Sequence, residues 1–243
     1  MPVTAVRQKK IEKLVERRIR TRKPTAYLLK RIYMLDVPFY IDERAIVPRS
    51  FLGEILASEL FAGQDFSLLP DAEAMGSVLD LCTGSGCLAI LAAMRFPGAR
   101  VDAVELSKVA IEVAKRNVAE HKLKRHVRVL RGDLFAPVAK KRYDLIISNP
   151  PYVDEPGMNG LPPECRHEPA MAFDGGRDGL DIVRRIIDEA GAHLTENGGL
   201  LCEIGRGREA LERAYPALRF LWLDTEESSG EVFWLDAEQL RRA

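Results

Sequence analysis

The chain has 243 residues, 47% apolar and 30% charged, with 36 Lys and Arg balancing 36 Asp and Glu. That length suits one α/β domain with a sizeable core and a small appendage. No apolar run approaches the roughly 20 residues of a membrane helix, and the basic N-terminus lacks the apolar stretch of a signal peptide, so a cytoplasmic protein with no membrane partner is expected. Cys82, Cys87, Cys165 and Cys202 form no C-x-x-C pair and the four histidines are scattered, which predicts neither a metal site nor a disulfide framework.

Taken in order, residues 5–21 place Ile11, Leu14, Val15 and Ile19 three and four apart, the spacing of a helix with one apolar stripe. The same region is basic: from Arg7 to Arg31, eleven Lys and Arg face only Glu12 and Glu16. A solvated helix face and contact with RNA, or with an RNA-bound protein, both account for such an arm. Pro38 to Pro48 holds two β-prone runs around Asp42-Glu43-Arg44, which predicts a hairpin there. Ser50 is placed to cap a helix reaching Leu60, and Gly63 to Gly76 reads as a loop. Residues 1–62 thus form an N-terminal helix and hairpin appendage, and 76–243 the main domain.

From Ser77 the pattern becomes strand and helix in alternation. Strands are predicted at 78–82, 99–106, 127–130, 143–148, 199–203, 218–223 and 232–235, with helices at 87–95, 108–121, 179–194 and 208–214. This predicts an α/β fold with a mostly parallel seven-stranded sheet covered on both faces. The last two strands have no helix between them and are expected to pair antiparallel.

The turn Asp80-Leu81-Cys82-Thr83-Gly84-Ser85-Gly86 joins the first strand of that sheet to a helix, and its glycines let backbone approach a ligand closely. Gly84-x-Gly86-x-x-Ala89, with Glu105 twenty-one residues beyond Gly84, also matches a dinucleotide fingerprint, so a nicotinamide-dependent oxidoreductase stays open. Against it stands Asp80 beneath the turn, where a carboxylate suits an amino-acid ammonium group better than a pyrophosphate. Asp133 can accept from an adenine amino group while Leu134 packs on the ring. Asp80, Glu105 with the adjoining Leu106, and Asp133 lie at three successive strand ends, the usual ligand crevice of such sheets. S-adenosyl-L-methionine, cationic, ribose-bearing and without phosphate, fits that set.

Asn149-Pro150-Pro151-Tyr152 follows the fourth strand. A planar amide or exocyclic amine is a poor nucleophile because its lone pair is delocalised. The Asn149 side-chain oxygen and the Pro150 carbonyl can accept its two N–H bonds, with Tyr152 stacked on its plane, so that the chemistry rests on positioning and electrostatics.

The Asp80–Gly86 turn followed by Asn149-Pro150-Pro151-Tyr152 resembles the class I, Rossmann-like S-adenosylmethionine-dependent methyltransferases acting on planar nitrogens. Phe39 to Ser50, Leu161 to Pro169 and Gly175 to Leu180 resemble the protein-glutamine methyltransferases of the HemK type. Pro48-Arg49-Ser50 and Arg166-His167-Glu168-Pro169 look like the branch acting on the third protein of the large ribosomal subunit rather than the one acting on release factors. The resemblance implies that Cys82, Thr83, Gly84, Ser85 and Gly86 line the methionine moiety, Glu105 binds the ribose, and Asp133 and Leu134 contact the adenine. It implies that Asn149, Pro150, Pro151 and Tyr152 hold the glutamine, while Arg49 and Glu168 either shape the pocket or form a structural ion pair. Residues 1–62 correspond to the last part of a longer helical docking region. Methylation of adenine in nucleic acid, and a non-catalytic module on assembling ribosomes, are the remaining alternatives.

Overall fold

The computed structural model describes residues 4–61, 67–69, 74–226 and 228–242. Helix α1 (Ala5–Thr21) starts where the Thr4 hydroxyl accepts the Arg7 N–H, and none of its residues is buried. Its apolar stripe is real but unpacked, with Val6, Ile11, Val15 and Ile19 all at least half exposed. After α2 (Thr25–Leu29), strands β1 (Ile32–Met34) and β2 (Val37–Phe39) pair antiparallel. Leu35 and Asp36, at φ 50° and 61°, make the tight left-handed turn that two-residue hairpins favour.

The hairpin therefore lies upstream of the predicted one. Residues 42–45 do turn, through the Ala45 N–H to the Asp42 carbonyl at 3.1 Å, but the runs beside them do not pair. Ile41, Ala45 and Val47 instead bury their side chains with Tyr27, Ala110 and Val113. Burial against helices replaced cross-strand pairing. Helix α3 (Leu52–Ala57) is shorter than expected and continues as a 3₁₀ turn, Glu59–Phe61. The loop expected from Gly63 to Gly76 falls largely outside the described residues.

The main sheet comprises β3 (Ser77–Leu81), β4 (Arg100–Glu105), β5 (Val127–Arg131), β6 (Tyr143–Ser148), β7 (Leu194–Glu203), β8 (Leu221–Leu223) and β9 (Val232–Asp236). Their order is β5-β4-β3-β6-β7-β9-β8. The first five run parallel, and the last strand in the chain, β9, is antiparallel to β7 and β8. Helices α4 (Cys87–Arg95), α5 (Lys108–Glu120), α6 (Glu155–Gly160), α7 (Asp181–Ala190), α8 (Arg208–Ala214) and α9 (Ala237–Arg242) connect or follow the strands. No described helix is long and apolar enough to cross a membrane.

Both faces of the central strands are buried. Leu145 and Ile147 join Leu52, Leu56 and Leu91 on one face, while the intervening Ile146 joins Ile186 and Leu235 on the other. This period-two division is why the central strands read as continuous apolar runs. Each such side chain, fully buried, contributes about 1.5–3 kcal/mol. Because α3 packs into the first of these faces, the N-terminal segment is built onto the sheet. The strand order reverses between β3 and β6, which opens a crevice outside their carboxyl ends.

Candidate active site

The turn after β3 carries left-handed backbone at Cys82 (φ 58°), Gly84 (φ 55°) and Gly86 (φ 81°). A Cβ on Gly86 would sit 3.2 Å from the Ala114 Cβ, so glycine also lets the turn lie against α5. Asp80 fastens the turn from below: its Oδ2 accepts the Thr83 hydroxyl and, at 3.0 Å, the Ala89 N–H. Glu105 fastens it from the side, accepting the Gly84 N–H (2.8 Å) through one oxygen and the Ser107 N–H (2.7 Å) through the other. Asn117, wholly buried on α5, donates to the Ser85 carbonyl at 2.8 Å and exchanges hydrogen bonds with the Tyr40 backbone.

Two adjoining cavities open above this turn. The first, of about 280 Å³, is walled by Cys82, Gly84, Glu105, Leu106, Asp133, Leu134, Asn149 and Pro151. The second, of about 230 Å³, takes Thr83, Ser85, Arg49, Pro150, Tyr152 and Phe173 into its wall. They share Ile46, Cys82, Gly84, Asn149 and Ala172, so Asn149 stands at their junction.

Three expected site residues line neither cavity. Gly86 is turned against α5. Asp80 is fully buried under the turn, its Oδ1 without a hydrogen-bond partner among the described residues. That burial lifts its pKa to about 7 despite the bonds from Thr83 and Ala89. It supports the turn rather than facing a ligand directly, because the turn closes over it. Glu168, also buried, pairs with Arg49 at 2.6 Å and accepts the Val47 N–H at 2.8 Å. Arg49 and Glu168 thus form an ion pair with each other, and Arg49 also lines the second cavity.

Asn149 is oriented by this pair. Its Nδ2 donates to the Arg49 carbonyl at 2.9 Å, while its Oδ1 has no partner among the described residues. The amide therefore presents its acceptor atom where the cavities meet. Tyr152 donates its hydroxyl to Glu203 Oε1 at 3.0 Å, and the other oxygen of Glu203 accepts the Ser50 hydroxyl (2.8 Å) and the Phe51 N–H (3.0 Å). Burial at the end of β7 lifts Glu203 to a pKa of about 7 against those bonds. Two buried acids, Glu168 and Glu203, accordingly pin both ends of residues 47–51 beside Asn149.

Sequence reasoning missed Glu203, Asn117, Ile46 and Phe173. Glu203 was within reach: it is a carboxylate at the end of a parallel strand, as Glu105 is. Ile46 belonged to the misplaced hairpin, and Asn117 and Phe173 carry no local signal.

The charge of the first cavity decides what it can hold. Glu105, Asp133 and Asp174 line it, and its one lining cation among the described residues, Arg44, is bound to Asp42 through bonds of 2.7–3.1 Å. Asp133 itself pairs with Arg185 at 2.7 Å and stays half exposed, while Leu134 is buried with φ 42°. An acidic wall without a free lining cation fits a cationic nucleoside and disfavours a pyrophosphate. Sheet order and cavity together define a class I S-adenosylmethionine-dependent methyltransferase, and a family model described as "Methyltransferase small domain" matches residues 59–160. The ribosomal protein uL3 glutamine methyltransferase of Bradyrhizobium diazoefficiens is 61% identical over 98% of this chain and 75% of its own length. Its counterpart in Burkholderia pseudomallei is 49% identical over 93% of this chain and 75% of its own length. The chain belongs to the family of ribosomal protein uL3 glutamine methyltransferases. A crystal structure of a methyltransferase from Pyrococcus furiosus, 17% identical, shares the fold with a TM-score of 0.58 over 91% of this chain and 96% of that one.

Proposed function

We propose that the chain transfers a methyl group from S-adenosylmethionine to the side-chain amide nitrogen of a glutamine in ribosomal protein uL3. The observation that carries this reading is Asn149: its amide is fixed by the Arg49 carbonyl, with Oδ1 unpartnered among the described residues at the junction of the two cavities. When bound, the cofactor supplies an electrophilic sulfonium methyl group. Glu105 would hold the ribose hydroxyls through the lone pairs that Gly84 and Ser107 leave free, Asp133 the adenine amino group, and Leu106 and Leu134 the ring. The backbone from Cys82 to Ser85 would follow the methionine moiety.

In the second cavity, Asn149 Oδ1 and the Pro150 carbonyl accept the two N–H bonds of the entering glutamine amide. Held so, the amide aims its nitrogen lone pair at the methyl group, and Tyr152, anchored by Glu203, covers its plane. The nitrogen needs no general base beforehand, because its proton leaves to water after transfer. Adenine has a similar planar nitrogen, but the names of these relatives favour glutamine, and of the two protein substrates they favour the ribosomal one over release factors. The exposed cations of α1 support contact of that arm with RNA near the substrate.

Removal of the acceptor atom tests the mechanism. Asn149→Ala is expected to lower methyl transfer at least 100-fold, the scale set by losing one electrostatic contact to the reacting group, and to leave S-adenosylhomocysteine affinity within about threefold. Mass spectrometry of uL3, release factor and ribosomal RNA after incubation with enzyme and cofactor reads the product. Methylation confined to RNA or to release factor would overturn the substrate assignment, and turnover retained by the variant would overturn the mechanism.

A further inference from the structure

A large concave surface outside the site lies at the other end of the sheet. It is a groove of about 810 Å³ formed by the first residues of β4 and β5, the second half of α5, and the loops that hold Lys124, Arg125 and Lys141. The two cavities open at the carboxyl ends of the strands, and β4, at about 3.3 Å per residue, separates the two surfaces by roughly 17 Å.

Seven Lys and Arg line this groove against two acids, Asp102 and Glu112, in a chain whose net charge is zero. The acids do not neutralise it. Asp102 is shared between Arg128 (2.8 Å) and Lys141 (2.8 Å) and also accepts the Tyr143 hydroxyl. Among the described residues Glu112 pairs only with Lys115, and Arg116 binds Glu120 while lying 3.4 Å over the Tyr40 ring. Arg100, Lys124 and Arg125 have no ion-pair partner among the described residues, and all three are exposed. Protection of the β5 edge needs only a charge or two along the strand itself. Here cations converge from separate elements, and Asp102 and Tyr40 hold two of the guanidinium groups in fixed orientations.

We propose that this groove binds the phosphate backbone of helical RNA. Charge alone selects a polyanion. The choice of RNA over an acidic protein rests partly on the ribosomal-substrate reading and partly on the lining: among the described residues it holds no Phe, Tyr or Trp and a single imidazole, His126, and Val101, Val118 and Val127 are buried in its floor. Protein interfaces centre on exposed aromatic and apolar anchors, and single strands are held by stacking, so neither is served here. A duplex backbone requires only spaced cations. The groove would hold the enzyme against RNA while the glutamine is presented at the opposite end of the strands.

The test is a fluorescence-anisotropy titration of the full chain with a labelled RNA duplex from about 50 to 200 mM salt. The triple variant Arg100→Glu, Lys124→Glu, Arg125→Glu is expected to bind more than 10-fold more weakly, with a log–log salt slope shallower by about 2.7, as three lost phosphate contacts on a duplex require. Its melting temperature and its methyl transfer to isolated uL3 should match the parent, since none of the three residues touches the site. Unchanged RNA affinity in the triple variant overturns the proposal. So does an acidic polypeptide that binds the parent as tightly as the duplex, or an effect confined to a Lys9→Glu, Lys10→Glu control on α1. Loss of uL3 methylation in the parent chain would instead strike the proposed function and leave the titration standing.

Discussion

Glu203 joins three segments that the chain keeps far apart: Ser50 and Phe51, Tyr152, and the end of β7. All three groups donate to it, so the ionised carboxylate satisfies them best, yet burial raises its pKa to about 7. Asp80 is raised to about 7 for the same main reason. A carboxyl whose folded pKa lies above its unfolded one holds its proton more tightly when folded. Its contribution to stability is therefore present below the ordinary carboxylate range and lost as pH rises through about 7. At about 1.4 kcal/mol per unit, each acid contributes on the order of 3 kcal/mol to that slope. Thermal melts between about pH 5 and pH 8 should show stability falling with pH, and Glu203→Gln should make that fall shallower, leaving the part due to Asp80 and to Glu105, which burial also raises. An unchanged slope in the variant would refute the burial argument for Glu203.

Among the elements, the segment 47–51 and the β7–α8 turn matter most, because residues 47–50 line the second cavity and the turn backs Tyr152, which also lines it. Gly205 follows β7 at φ 57°, and a Cβ there would stand 2.8 Å from the Tyr152 ring at Cδ2 and Cε2. Gly205→Ala is thus expected to cost about 1–2 kcal/mol in left-handed strain and to push the Tyr152 ring from its place in the wall of the second cavity. Steady-state kinetics should show KM for the protein substrate rising about 10-fold, with S-adenosylhomocysteine affinity retained, which is roughly the effect of 1.4 kcal/mol on one binding partner. An equal loss of both affinities would mean that the turn supports the whole site rather than the acceptor cavity.

The whole molecule is organised by the crevice at the β3–β6 switch, whose acidic first cavity should discriminate between nucleoside ligands by charge. S-adenosylhomocysteine at 100 times its Kd should stabilise the chain by about 2.7 kcal/mol, or roughly 5–10 °C in Tm for a chain of this size. NAD at the same concentration should leave Tm unchanged, and equal shifts would reinstate the oxidoreductase reading.

What the sequence determined by itself was local and periodic. Cys87–Arg95, Tyr143–Ser148 and Arg208–Ala214 stand where their residues predicted, because each carries its own period and its own ends. The seven-stranded count and the antiparallel last strand were legible on the same grounds, and so were some of the residues that line the two cavities, since turn glycines and strand-end carboxylates announce themselves within a few positions. Tertiary structure decided the rest. Whether Ile41 and Val47 pair as strands or pack beneath α5 depends on a helix more than 60 residues away. Asp80, read as facing a ligand, was closed off by its own turn, and Glu203 gained its place only when β7 came to lie beside Tyr152. Asn149-Pro150-Pro151-Tyr152 suggested the chemistry proposed above, but the direction in which Asn149 presents its oxygen is set by Arg49 and Glu168, from segments about 100 residues upstream and 20 downstream. Hydrogen bonds and burial between distant segments leave no periodicity in the sequence, and so only the folded chain could place them.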